Sequence, residues 1–227
     1  ESFKYVYDKI KKDVHLASIA GGTDLVGCLV LGNLYSNVYK GEIQGQSLGI
    51  DVDVFLDNGK STKEGEQGEL VVKQPFPSMP IKFWGDIDGE KYHKAYFSKF
   101  KNIWHHGDYI ERTSNNGFIM RGRSDATLNP GGVRIGTSEI YQQVEDINFI
   151  TEGLVVGQDY KDDIRIILFV TTKDNQELDE EKIKLIKMKI RKNCSPKHVP
   201  SLIIKVPEIP RTKSGKIVEL AVRKVIN

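Results

Sequence analysis

The sequence predicts a mixed α+β chain in two parts, a β-rich part over residues 1–123 and a small α+β part over 124–227. Three observations lead there. Val52, Val54 and Leu56 take alternate positions in the first part, the period of a strand. Ile140, Val144 and Ile147, and again Ile183, Ile186 and Ile190, recur at helical spacing in the second. Between them, residues 122–137 are rich in glycine and polar side chains, the composition of a boundary.

Phe3, Val6, Tyr7 and Ile10 predict an opening helix with Ser2 placed to cap it. Leu16 to Ala20 reads as a buried strand that runs into a tight loop at Gly21-Gly22. The stretch from about 38 to 121 is β-rich. Strands fall at 52–56 and 69–73, with a turn at Asp57-Asn58-Gly59-Lys60 between them. Pro75, Pro77 and Pro80 mark a loop, because proline cannot donate to a ladder. Tyr109 to Thr113 and Gly117 to Arg121 flank Ser114-Asn115-Asn116 as a hairpin. Beyond Arg123 the spacing predicts a helix from Thr137, strands at 154–156 and 164–170, a helix opened by Asp179, a strand at 202–206 and a last helix over 218–225. Strands and helices mixed in this way make a compact α+β unit.

The chain has 227 residues, enough for two modest domains. Its 33 Lys and Arg nearly balance 31 Asp and Glu, giving a net charge of +2, which argues against a dedicated nucleic-acid binder. Lys182, Lys184, Lys187, Lys189, Arg191 and Lys192 alternate with apolar residues, as the solvated face of a helix or as a polyanion site. Cys28 and Cys194 form no CxxC pair, so free thiols and a reducing compartment are expected. No apolar run is long enough to cross a bilayer and no secretory signal opens the chain, which leaves the cytoplasm as the expected location.

Four stretches carry residues suited to chemistry. Gly21-Gly22-Thr23-Asp24 follows a predicted strand. Its glycines let backbone amides approach an anion, Thr23 can donate to phosphate, and Asp24 can hold Mg²⁺ between phosphate oxygens. The same four residues also suit a plain strand-to-loop turn. In Trp104-His105-His106-Gly107-Asp108, adjacent histidines on a strand point to opposite faces and cannot readily share one metal. Asp108 suits a ligand's hydroxyls, such as a ribose diol, or a solvated turn. Residues 122–137 contain hinge candidates and Gly131-Gly132, a backbone that a ligand can approach, or else an ordinary interdomain turn. Ile209 to Ile217 resembles a Walker A loop only superficially, since Pro210 stands where that loop needs glycine. What remains is a flexible loop presenting Arg211, Lys213 and Lys216, either to a transferring phosphoryl group or to solvent.

Each stretch alone is weak, but their order and spacing are not. GGTD, HHGD, GRSDATLNPGGVRIGTSEIY and PRTKSGK, in that series, resemble the signatures of the adenylate-forming acyl-CoA synthetases across essentially the whole chain. The segments SIAGGTDLVG, VYKGEIQG, PSMPIKFWGD and IPRTKSGKIVELAV look like the branch of that family that activates acetoacetate. The acetate branch has an aromatic-rich QTE segment where GGTD stands here.

The resemblance implies a fold in which 1–123 is the β-rich end of a large AMP-binding domain and 124–227 a small mobile lid. It implies an AMP-forming acid–thiol ligase whose substrates are acetoacetate, ATP and CoA. By position, Gly22 and Thr23 would contact the nucleotide's phosphate and Asp24 would help hold Mg²⁺. Asp108 would bind the ribose, and Arg123 would lie near ribose or phosphate. Asp125 would be the hinge. Gly131 and Gly132 would line the way for CoA's pantetheine arm. Arg134 would serve one of two domain orientations beside the nucleotide, and Lys216 would be the catalytic lysine. The family's upstream phosphate-gripping loop has no counterpart in these 227 residues. The expectation is therefore a partner in the missing N-terminal part of the same enzyme, no activity for this chain alone, and exposed apolar patches on its first part. A synthetase for acetate or propionate and a non-catalytic binding module are the other readings.

Overall fold

A computed structural model describes residues 2–227. The opening helix forms, in two pieces: α1 (Ser2–Tyr5) widens into a π-helical turn over Val6–Ile10. Ser2 lies inside it and does not cap it. The expected buried strand at 16–20 is displaced. Residues 16–19 are unpaired, and the strand is β1 (Ala20–Gly22), antiparallel to β2 (Gly27–Leu31). Strand β2 was not anticipated, since Gly27 and the apolar run after it carry no alternation. The hairpin is obligate in glycine, because a Cβ at Gly21 would lie 2.1 Å from the Gly27 carbonyl oxygen. β3 (Gly45–Gln46) completes this small sheet in the order β1-β2-β3.

The second sheet is β4 (Val52–Phe55), β5 (Gln67–Val72), β6 (Trp104–Arg112) and β7 (Phe118–Arg123), in that order. Alternation in β4 hides a buried charge. Asp53 is buried like its apolar neighbours, because Arg112 Nη2 reaches it at 2.9 Å, Ser61 Oγ at 2.8 Å and Lys73 Nζ at 3.3 Å. Glu69 on β5 is likewise buried, with Lys99 at 2.5 Å and His105 at 2.9 Å. Buried carboxylates survive only when paired in this way. Strand β6 is longer than expected and irregular: the register passes from Glu69↔Tyr109 to Val71↔His105, so residues 106–108 face Leu70 alone. Gly107, at φ 82°, takes the bulge. The short helix α2 (Glu90–Tyr96) was not anticipated either. Asp86 starts it by accepting from the Lys91 and Tyr92 amides. Its Tyr92 and Tyr96 pack over Trp104, which sits in a core with Leu29, Val54, Leu70, Ile110 and Phe118.

The chain divides into two units, Glu1–Met120 and Arg121–Asn227, with β7 running across the division. The expected apolar exposure of the first unit is present: Trp84, Ile87, Tyr35 and Leu48 are almost wholly open to solvent.

The second unit is built on a long hairpin, β8 (Ile150–Tyr160) and β9 (Asp163–Thr172), with β10 (Leu202–Lys205) parallel to β9. Helix α3 (Thr137–Glu145) buries Ile140 and Val144, and α4 (Glu180–Asn193) buries Ile186 and Ile190, against β8 and β9. Asp179 caps α4 as expected, accepting from the Lys182 amide at 2.8 Å. Of the basic residues of α4, Lys184, Arg191 and Lys192 are exposed, and Lys182, Lys187 and Lys189 are partly buried. Helix α5 (Glu219–Ile226) packs Val222 and Ile226 on the opposite face of the sheet, with Leu154 and Ile209. Both cysteines are free thiols. Among the described residues, no helix is long and apolar enough to cross a membrane.

Candidate functional site

In the first unit, two of the motifs meet. The turn after β1 is closed by the Val26 amide donating to the Thr23 carbonyl at 3.1 Å, and Leu25, fully buried, pins it. Thr23 and Asp24 are left exposed. Gly22 backs onto the β6 bulge so closely that a Cβ there would lie 2.9 Å from His106 Cε1. His106 and Asp108, two residues apart and both buried, stand beside one another, with His106 Nε2 3.6 Å from Asp108 Oδ2. GGTD and HHGD are therefore one locus. Asp108 is no solvated turn residue. It lies within a strand, because the bulge at Gly107 keeps β6 running through the motif.

His106 has a defined tautomer. The Trp104 indole, a donor only, reaches its Nδ1 at 3.3 Å, so in the neutral ring the proton sits on Nε2, toward Asp108. Trp104 is itself stacked on Tyr96, with centroids 3.7 Å apart, and the Tyr96 hydroxyl donates to Asp24. A relay of side chains thus runs from Asp24 through Tyr96 and Trp104 to His106. His105 points away, to Glu69, as adjacency on a strand requires. Sequence reasoning did not find His106 or Tyr96. His106 was weighed only as a metal ligand, and Tyr96 lies in a helix that the pattern does not announce.

In the second unit, residues 124–136 form a closed loop. Leu128 and Ile135 exchange backbone hydrogen bonds at 2.9 Å, and Gly136 packs on Arg121 so tightly that a Cβ would meet its carbonyl oxygen at 2.3 Å. Arg123 Nε lies 3.5 Å from the exposed Asp125 carboxylate, and Arg223 of α5 donates to the Asp125 carbonyl at 3.3 Å. Gly131 and Gly132 both have positive φ, 56° and 77°. The Gly131 amide donates to both Asp163 oxygens, at 2.8 and 3.0 Å, which holds that carboxyl below its ordinary range. Lys197 crosses Gly131, and a cleft of about 380 Å³ opens beside it, with Tyr160, Lys161 and Arg165 on its wall. Arg134 is half-buried near the loop's end.

Lys216 is exposed, on a turn that is more ordered than a flexible loop. Arg211 and Ile217 pair across it, the Thr212 amide donates to the Lys216 carbonyl at 2.8 Å, and Gly215 supplies a φ of 83°. Arg211 fastens the turn through Nη1 to the Gly215 carbonyl at 2.6 Å and Nη2 to Glu152 at 2.5 Å. The Gly131 loop and the Lys216 turn are not brought together. One is tied to Asp163 at the tip of the β8–β9 hairpin, the other to Glu152 near its open end. Eight residues of strand separate those levels, about 26 Å at ~3.3 Å per residue.

No family model matches the chain. The anthranilate CoA ligase AuaEII, solved in complex with anthranoyl-AMP, superposes with a TM-score of 0.82 at 20% identity, over 98% of this chain and 42% of that one. The fold is that of the adenylate-forming CoA ligases. Within that class, the chain's sequence is related throughout to the acetoacetyl-CoA synthetases. It is 57% identical over 227 residues to acetoacetyl-coenzyme A synthetase of Rhizobium meliloti (strain 1021), covering all of this chain and 35% of that protein. The acetoacetyl-CoA synthetase of Streptomyces lividans superposes with a TM-score of 0.90 at 40% identity, over 98% of this chain and 34% of that one. The chain thus spans about a third of the length of the relatives it matches.

Proposed function

We propose that this chain supplies part of the nucleotide site and the mobile lid of an acetoacetate–CoA ligase. Its reaction is AMP-forming: acetoacetate attacks the α-phosphorus of ATP, pyrophosphate leaves, and the CoA thiol then displaces AMP from the acyl adenylate. The observation that carries the reading is the meeting of Gly22 with His106 and Asp108, which joins two phosphate- and ribose-type motifs in one locus. Thr23 and the amides of its turn take the α-phosphate. Asp108, held within β6, accepts from the ribose hydroxyls, with Arg123 near ribose or phosphate and Arg134 engaged in one lid orientation.

Asp24 suits Mg²⁺ as a single exposed carboxylate. Among the described residues no group of three ligating side chains exists, and Mg²⁺ takes most of its coordination from water and substrate phosphates. Bound there, the ion would neutralise charge on the phosphate oxygens. Tyr96 orients the Asp24 carboxylate toward that use.

Lys216 stabilises the negative charge that grows on the transferring phosphoryl group. Gly131 and Gly132 admit the pantetheine arm, and the cationic cleft beside them suits the phosphates of CoA. The separation of the two loops along one hairpin supports a lid that turns about Asp125 and offers them in succession. In the full-length protein, Lys216→Ala should slow acetoacetate-dependent ATP–pyrophosphate exchange about a thousandfold. Thioester formation from synthetic acetoacetyl adenylate should keep its rate. Exchange that survives the substitution would refute the assignment, and faster exchange with acetate or propionate would move the substrate to those acids.

A further inference from the structure

We propose that Glu219 is a positioning residue that locks the Lys216 turn to the hinge, so that the lid moves as one body. The inference rests on the reading of Lys216 as the residue that meets the phosphoryl group. Glu219 is the first residue of α5, three positions after Lys216. Its carboxylate accepts from the Tyr141 hydroxyl of α3 and from the Thr137 hydroxyl at the start of that helix. The direction of the first bond is fixed. Tyr141 also receives the Val155 amide at 3.0 Å, and an amide can only donate, so the phenolic proton faces Glu219. Thr137 is buried against Gly122, where a Cβ would lie 3.0 Å from its hydroxyl, so the contact reaches the strand that leads into the hinge. One turn further along α5, Arg223 donates to the Asp125 carbonyl. Helix α5 therefore touches the hinge segment by two routes.

The chemistry of the pair points to a purpose other than stability. Glu219 is partly buried with two hydroxyl partners and no cation among the described residues, and Asp125 adds like charge. Burial, followed by that charge, raises the Glu219 carboxyl above its ordinary range, and burial raises the Tyr141 phenol too. An apolar residue here would avoid the cost of desolvation. It would also give up the directional contact. A catalytic group displaced by about 1 Å loses on the order of a hundredfold in rate, so a turn that wags relative to its hinge is slow even when the fold is intact.

The test compares wild type, Glu219→Ala and Glu219→Gln in the full-length protein. Hydrogen exchange of the peptide spanning 208–218 should quicken about tenfold in Glu219→Ala, with β8 and β9 peptides unchanged. The kcat of pyrophosphate exchange should fall about tenfold at constant KM for ATP. Glu219→Gln, whose amide oxygen still accepts from Tyr141 and Thr137, should restore both to within about twofold. Wild-type behaviour of Glu219→Ala, exchange quickened across the whole unit, quickened turn exchange with unchanged kcat, or failure of glutamine to restore would each overturn the proposal. Should Lys216→Ala also leave turnover intact, the reading of Lys216 fails instead, and the exchange data alone then decide whether the brace exists.

Discussion

At Gly22 the difference between hydrogen and methyl decides whether two motifs can meet. The His106 ring it faces is held by the Trp104 indole and cannot move freely. Gly22→Ala should therefore push His106 and disturb the Asp108 beside it while the hairpin still forms, since the glycine's φ is not in the left-handed region. The expected outcome, in the full-length protein, is a fall of about tenfold in kcat/KM for ATP, read by pyrophosphate exchange, with a melting temperature lowered by a few degrees because the buried ring is displaced. Gly21 behaves differently. Its added Cβ would strike backbone, so substitution there breaks the hairpin itself.

Helix α3 shows how a single side chain anchors an element to the site. Glu139 reaches back to the Gly136 amide at 3.0 Å and on to His198 Nε2 at 3.3 Å. Burial by itself would raise its carboxyl. The hydrogen bonds from His198 and Gly136 and the charge of Arg121 outweigh that, and the net shift is downward. A lowered folded-state value means stability that is present above the ordinary glutamate range and is lost as pH falls through the folded value. Glu139→Gln should accordingly cost about 1–2 kcal/mol at pH 7. The gap to wild type should close as pH drops below the ordinary glutamate value of 4.5, measured by urea denaturation across that window. A gap that stays constant with pH would show that charge plays no part.

At the scale of the whole chain, the two units present different surfaces. The second covers its sheet on both faces with α3, α4 and α5. The first leaves Trp84, Ile87, Tyr35 and Leu48 almost wholly open, side chains that a second copy can cover. The 227-residue chain should self-associate with concentration, seen as rising mass in light scattering. Trp84→Ser with Ile87→Ser should reduce it at least severalfold. A monomer at high concentration would contradict this.

The amino-acid sequence on its own determined the helices whose apolar faces repeat, the Asp179 cap, the β9 and β10 strands and the hairpin at Ser114-Asn115-Asn116. Those depend on neighbours a few residues away, whereas the motif series marked the chain's class through its order and spacing along nearly the whole sequence. Only the tertiary structure decided what depends on distant partners. Asp53 and Glu69 are buried because Arg112 arrives from β6, Lys73 from the end of β5 and Lys99 from the loop before β6. Helix α2 exists because Trp104 offers its tyrosines a surface. His106 joins Gly22 because a bulge turns β6 toward the β1–β2 turn. Glu219 meets Tyr141 across 78 residues of chain, a separation over which no local pattern carries information.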